Sequence, residues 1–169
     1  MTPTDCAPDA AAALTITIVQ EDAVTRRWAQ QLWSRVGRLT GNGGICRECW
    51  NLAELVEKGV FEAAVRSAAK ADVLVIAVRD AEPVPLLLRM WLDAWPSQRE
   101  GRPGAMVALI GVDAPPHREA GRVHRLLEQV AGKAGLEFLP RERKLPPEPE
   151  PVPRHINKAR GGRRLELAA

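Results

Sequence analysis

The stretch from Ala71 to Trp95, ADVLVIAVRDAEPVPLLLRMWLDAW, constrains the chain more than any other. Its unbroken apolar run, Val73 to Val78, is rich in β-branched residues. A short run without polar alternation suits a strand buried on both faces, as in a parallel sheet. The charged turn Arg79-Asp80-Ala81-Glu82 follows, and then Pro83 and Pro85. Proline fits the first turn of a helix, where the amides have no intrahelical acceptor. Leu88, Trp91, Leu92 and Trp95 recur at spacings of three and four and give one broad apolar face. Strand, polar loop and sheet-covering helix form the centre of a doubly wound α/β domain.

The flanking sequence extends this pattern. Leu14 to Val19 is β-prone and predicts the first strand. Val24, Trp28, Leu32 and Val36 fall at intervals of four, predicting a helix with Asp22 as its N-cap and Gly37 as its stop. Gly41 to Gly44 is turn chemistry, and Ile45 to Trp50 predicts an edge strand. Asn51 and Glu54 have capping-box spacing and start a helical turn through Val56. Gly59 interrupts, and Phe61 to Ala69 predicts a helix. Gly101 to Gly104 is a turn, Ala105 to Ile110 a buried strand, and Asp113-Ala114-Pro115-Pro116 a loop. Arg118 to Ala134 predicts a helix ended by Gly135, and Leu136 to Leu139 a short last strand. The expected fold is α/β: a three-layer α/β/α domain over residues 14–139, with a five-stranded parallel sheet in the order 2-1-3-4-5.

Residues 1–13 read as a disordered leader and residues 140–169 as a Pro-rich, basic, disordered tail. Residues 140–169 hold eight Lys or Arg against four Asp or Glu. Of the chain's formal +3, this segment therefore supplies +4 and residues 1–139 supply −1. That balance argues against a broad nucleic-acid face on the folded domain and leaves nucleic acid only the tail, through KARGGRR. Three cysteines are too few for a disulfide scaffold and their odd number suits a reducing compartment. The start lacks the pattern of a secretion signal, and no apolar run approaches a membrane span. The expectation is a cytoplasmic protein with no membrane contact.

In a sheet of this order the crevice lies beyond the carboxyl ends of the strands, where strand order reverses. Three loops would line it: Gln20 to Thr25, Arg79 to Pro85, and Gly111 to His117. Here AKADVLVIAVRDAEPVPLLLRMWLDAW followed by GRPGAMVALIGV resembles the flavodoxin and FMN-reductase superfamily, with Asp72, Pro85, Asp93 and Gly101-Arg102-Pro103 matching its layout. The resemblance covers roughly half the chain and implies the flavodoxin-like fold, with FMN as cofactor. Thr25, Arg79, Asp80 and Glu82 then become the candidate cofactor-binding residues. One departure matters. The family holds the FMN phosphate in a Ser/Thr/Gly-rich loop, and here that loop reads Gln20-Glu21-Asp22-Ala23-Val24-Thr25. Two carboxylates and no glycine repel a phosphate.

LTITIVQEDAVTRRWAQQLW also looks like the start of a two-component receiver domain, whose paired acids coordinate magnesium at the places of Glu21 and Asp22. A receiver's phospho-acceptor aspartate is missing, with Ala77 or Val78 in its place, and Gly111 stands where its threonine belongs. Without a nucleophile the phosphoryl chemistry has no acceptor. Glu21 and Asp22 remain the candidate metal ligands, with helix capping as the competing role. Cys46-Arg47-Glu48-Cys49 has redox-pair spacing, but on a strand the two thiols face opposite sides. Zinc would need two more ligands. Trp28, Trp91 and Trp95 read as core. The functional expectation is a non-catalytic interaction or regulatory module with a protein partner and no cofactor. An apolar patch around Trp91, or an exposed edge strand near Ile45, would serve a homodimer. The alternative is an FMN- or nucleotide-dependent oxidoreductase with an atypical phosphate loop.

Overall fold

The computed structural model describes residues 14–40, 44–113 and 121–147. Five parallel strands, β1 (Leu14–Gln20), β2 (Ile45–Asn51), β3 (Val73–Val78), β4 (Gly104–Val112) and β5 (Leu136–Lys144), form one sheet in the order β2-β1-β3-β4-β5. The helices are α1 (Ala23–Thr40), α2 (Lys58–Lys70), α3 (Leu86–Ala94) and α4 (Arg122–Ala134), with 3-10 turns at Leu52–Val56 and Pro96–Arg99. The expected leader (1–13), most of the expected turn (41–43), the segment 114–120 with His117, and most of the expected tail (148–169) lie outside the described residues. No helix among the described residues is long and apolar enough to cross a membrane.

Alternation along the strands divides the apolar residues into two cores. Leu74, Ile76 and Val78 of β3, with Met106, Ala108 and Ile110 of β4, meet α2, α3 and α4 in the larger one. Val75, Ala77, Ile16, Ile18 and Leu109 face the other way and meet Trp28 and Ala29 of α1. Among the described residues three α-helices thus cover one face and α1 alone covers the other. Trp91 and Trp95 are fully buried, their ring centroids 5.8 Å apart. Trp91 therefore offers no surface patch for a dimer; the exposed apolar residues of α3 are Leu86 and Met90. Trp28 is core, as its helical spacing predicts.

Several boundaries differ from the sequence expectation for identifiable reasons. α1 runs through Gly37 to Thr40, and α2 begins at Lys58, so Gly59 lies inside it. One helical glycine costs about 1 kcal/mol relative to alanine, which burial of an apolar helix face offsets. β5 continues past Leu139 through Pro140 to Lys144, in register with β4 up to Val112↔Lys144. A proline is tolerated there because an edge strand pairs on one side only. The turn after β2 is as expected: the Asn51 side chain accepts the Ala53 amide at 2.9 Å and starts the 3-10 turn.

At the amino ends of the strands two polar anchors fix the helices to the sheet. The Asp72 carboxylate accepts both the amide and the hydroxyl of Thr15 at 2.9 Å, joining β3 to β1. The Arg99 guanidinium, which ends the second 3-10 turn, donates to the carbonyls of Ala68 (3.0 Å) and Ala71 (2.7 Å) at the C-terminus of α2. It also reaches the carbonyls of Arg102 (3.0 Å) and Pro103 (3.3 Å). Arg102 adds a bond to the Lys70 carbonyl at 2.9 Å. Cations at a helix C-terminus meet both its unpaired carbonyls and its negative dipole end.

Candidate functional site

The carboxyl ends of β1, β3, β4 and β5 meet at one edge of the sheet. β1 ends at Gln20, and Glu21 and Asp22 turn the chain into α1. Asp22 is the N-cap: its Oδ1 accepts the Thr25 amide at 2.9 Å, and its carbonyl accepts the first helical amide, from Arg26, at 3.0 Å. Thr25, fully buried, reaches back in return. Its Oγ1 accepts the amides of Asp22 (2.8 Å) and Glu21 (3.0 Å) and donates to the Asp22 carbonyl. This is a capping box with threonine in the place of the usual glutamate.

The same two acids also bind the neighbouring loop. Glu21 Oε2 accepts the backbone amide of Arg79 at 2.8 Å, and Asp22 Oδ2 pairs with the Arg79 guanidinium at 3.2 Å. Glu21 and Asp22 therefore hold the β1 and β3 loops together. The donors most suited to an anion here, the amides of residues 21, 22, 25 and 79, are engaged by the chain's own oxygens. Among the described residues no group of three or more His, Cys, Asp or Glu could hold a metal ion. Burial pushes the Asp22 carboxyl up, but the hydrogen bond from the Thr25 amide and the hydrogen bond and charge of Arg79 outweigh it. The net result is a pKa below the ordinary 3.8.

That sign makes a prediction. A carboxyl held below its unfolded pKa contributes stability above that pKa and loses it as pH falls through the folded value. Asp22→Ala is expected to cost about 1 kcal/mol at neutral pH, the usual worth of such a cap. The gap between variant and wild type should close as pH falls below 3.8. Urea unfolding of both proteins from pH 7 to acid would measure it; a gap constant with pH would remove the carboxylate's charge from the account.

The remaining candidates divide. Asp80 is exposed and lines an open cavity of about 510 Å³ together with Arg79, Asp113, Lys144, Leu145 and Pro147. Glu82 instead turns to α4, accepting the Arg122 amide at 3.3 Å beside its guanidinium. So Thr25 is a buried cap, Arg79 and Asp80 reach the crevice, and Glu82 is a loop anchor. The cavity residues Lys144 to Pro147 were not legible as site residues, because β5 was expected to end at Leu139. At Gly111, the head of the third crevice loop, the Arg79 carbonyl packs directly on the backbone and leaves no room for a side chain.

The cysteines do not form a pair with each other. Cys49 is a free thiol, half-buried against the α1 face of β2. Burial pushes the Cys49 pKa up, with Arg47 and Arg26 opposing, so the unreactive thiol form prevails at neutral pH.

No protein-family model matches the chain, and no curated protein matches it by sequence. Solved structures do match. One is the apo form of an NADH:FMN oxidoreductase, 18% identical with a TM-score of 0.57, covering 78% of this chain and 75% of its own. An oxidoreductase from Corynebacterium diphtheriae is 16% identical with a TM-score of 0.56, over 86% and 90% of the two chains. The Trp repressor binding protein from Bacillus subtilis is 12% identical with a TM-score of 0.54, over 91% and 99%. Together with the strand order, these decide the architecture.

The fold is flavodoxin-like.

At these identities the likeness establishes the fold and not the chemistry. Within the flavodoxin-like frame, the matched Asp72 sits at the amino ends of the strands as a β1–β3 anchor, far along β3 from the crevice. Pro85 is the N-cap residue of α3, Asp93 is exposed on that helix, and Arg102 caps α2. These matched positions build the scaffold.

Proposed function

We propose that this chain is a binding or regulatory module on a flavodoxin-like scaffold, recognising a protein partner at its crevice without a phosphate-anchored cofactor. The observation that carries the reading is the closed arrangement of Glu21, Asp22, Thr25 and Arg79. A phosphate at the first loop would have to displace two carboxylates from their amide donors and then sit beside them. The cavity beyond it adds Asp80 and Asp113 to Arg79 and Lys144. Charges of both signs with Leu145 and prolines suit a peptide segment better than a dianion.

A second reading is an FMN- or nucleotide-dependent oxidoreductase with an atypical phosphate loop. The solved structures favour it more directly than the first, since one is described as an NADH:FMN oxidoreductase and another as an oxidoreductase. One experiment separates the two: the visible spectrum of freshly purified protein, then titration with FMN followed by tryptophan fluorescence. The expected result is a colourless protein whose fluorescence does not saturate with micromolar FMN. A yellow protein, or saturable quenching in that range, would establish the oxidoreductase reading in its place.

A further inference from the structure

The net charge of the folded part conceals a sorting of its charges between the two faces of the sheet. α1 carries Arg26, Arg27, Arg35 and Arg38, all exposed, and no acidic residue. β5 brings Arg141 and Arg143 to the same side, because odd-numbered positions of that strand face α1: Arg143 donates to Gln31 of α1 at 2.7 Å. Even-numbered Phe138 packs on the opposite side, against His124 of α4. Glu142 falls with Phe138, so Glu137 at the foot of β5 is that strand's acidic residue on the α1 side, and Glu21 and Asp22 at the start of α1 are engaged by backbone amides and Arg79. Arg47 of β2 lies over the Trp33 ring of α1, 5.1 Å from its centroid, adding a further cation to this side. On the other side acids are interspersed, Glu62 in α2, Asp93 in α3 and Glu128 in α4.

We infer that the α1–β5 face is a binding surface for a nucleic-acid backbone. The outward stripe of α1, Arg27, Gln31, Ser34 and Arg38, is exposed along its length. It spans about 16 Å at the helical rise per residue, a distance over which duplex DNA presents roughly nine phosphate charges. Beside it a groove of about 390 Å³ runs between α1 and the end of β5, lined by Arg27, Gln31, Arg143 and Lys144 and by no acidic side chain. The stripe's cations are arginines, whose planar fork matches phosphate oxygens in pairs. A lipid surface fits less well, because the apolar face of α1 is buried on the sheet and Leu39 is the one large apolar residue of the helix left exposed, too little to anchor it in a bilayer. The contacts offered are to phosphates, so binding is insensitive to base sequence. This inference concerns a different surface from the crevice and stands or falls separately from its function.

The test uses the full chain, with duplex DNA and single-stranded RNA of arbitrary sequence as probes and fluorescence anisotropy as readout. Binding should weaken on the order of 100-fold between 50 and 200 mM salt if about four phosphates are neutralised. Arg27→Gln with Arg38→Gln and Arg143→Gln should weaken binding at least tenfold at 50 mM salt and flatten the salt slope by two to three, as about three lost phosphate contacts require. Should the triple variant unfold, Arg27→Gln with Arg38→Gln, both on the exposed outer face, should still lower affinity and slope. Binding of either probe with this pattern supports the surface and says which nucleic acid it takes. Loss on replacing Lys158, Arg160, Arg163 and Arg164 with glutamine, but not on the α1 changes, would assign binding to the tail and overturn it. So would no binding at 50 mM salt, or binding to phosphatidylserine vesicles that nucleic acid does not displace.

Discussion

Replacing Arg99 with alanine is expected to destabilise the domain by roughly 3–5 kcal/mol, the range for removing a buried charged group that serves several partners. Arg99 is 3% exposed and donates to four backbone carbonyls: two close the last turn of α2, and two fix the turn into β4. Each hydrogen bond to a charged donor is worth about 1.5–3 kcal/mol, and buried carbonyls left unpaired add their own cost. Burial, and next the charge of Arg102, lower the Arg99 pKa from its ordinary value while Asp72 raises it, so the native site carries a penalty that the four bonds must exceed. Arg99→Lys keeps the charge but not the fork, and should recover only part of the loss. Chemical denaturation of the three proteins would measure this. An alanine variant within about 0.5 kcal/mol of wild type, the ordinary spread of surface changes, would falsify the anchoring role.

Gly111→Ala is expected to cost about 3 kcal/mol, at the upper end of the range for overpacking a site that cannot yield. A methyl group there would overlap the Arg79 carbonyl oxygen, with the Arg79 carbonyl carbon 2.8 Å away and the Leu145 side chain at 2.9 Å. The obstruction is backbone, so relief requires the whole β3 loop to lift. Lifting it separates the Arg79 amide from Glu21 and its guanidinium from Asp22. The variant should therefore lose stability and also release the two carboxylates at the crevice, seen as a shift of the Arg79 amide resonance and faster exchange of its proton. A variant as stable as wild type, with the Arg79 amide still protected, would mean that the loop does not rest on Gly111.

The Arg99 and Gly111 effects belong to different ends of the sheet. At the amino ends, Asp72 joins β3 to β1 while Arg99 and Arg102 cap α2; at the carboxyl ends, Gly111 lets one loop settle on β4 while Glu21 and Asp22 tie it to another. The two effects thus arise from separate sets of residues at opposite ends of the sheet.

The sequence by itself determined the fold and much of its core. Val73 to Val78 reads as a strand buried on both faces because every position is apolar, and it is β3 over those residues. The four-residue spacing of Val24, Trp28 and Leu32 marks the face α1 buries, since helix periodicity is a local property of the chain. The acids after β1 were also legible, as a cap or as ligands. What each carboxylate oxygen touches was not, because Glu21 and Arg79 are separated by 58 positions and meet only when β1 and β3 pair. The end of β5 was hidden because Pro140 and the charges after it look like a tail; only pairing with β4 makes Leu136–Lys144 a strand. The basic face is the same case on a larger scale. Net charge is a sum that forgets position, and the alternation of β5 beside an acid-free α1 gathers arginines 100 residues apart onto one side. Composition is fixed along the chain, but which charges become neighbours is decided by how strands and helices stack.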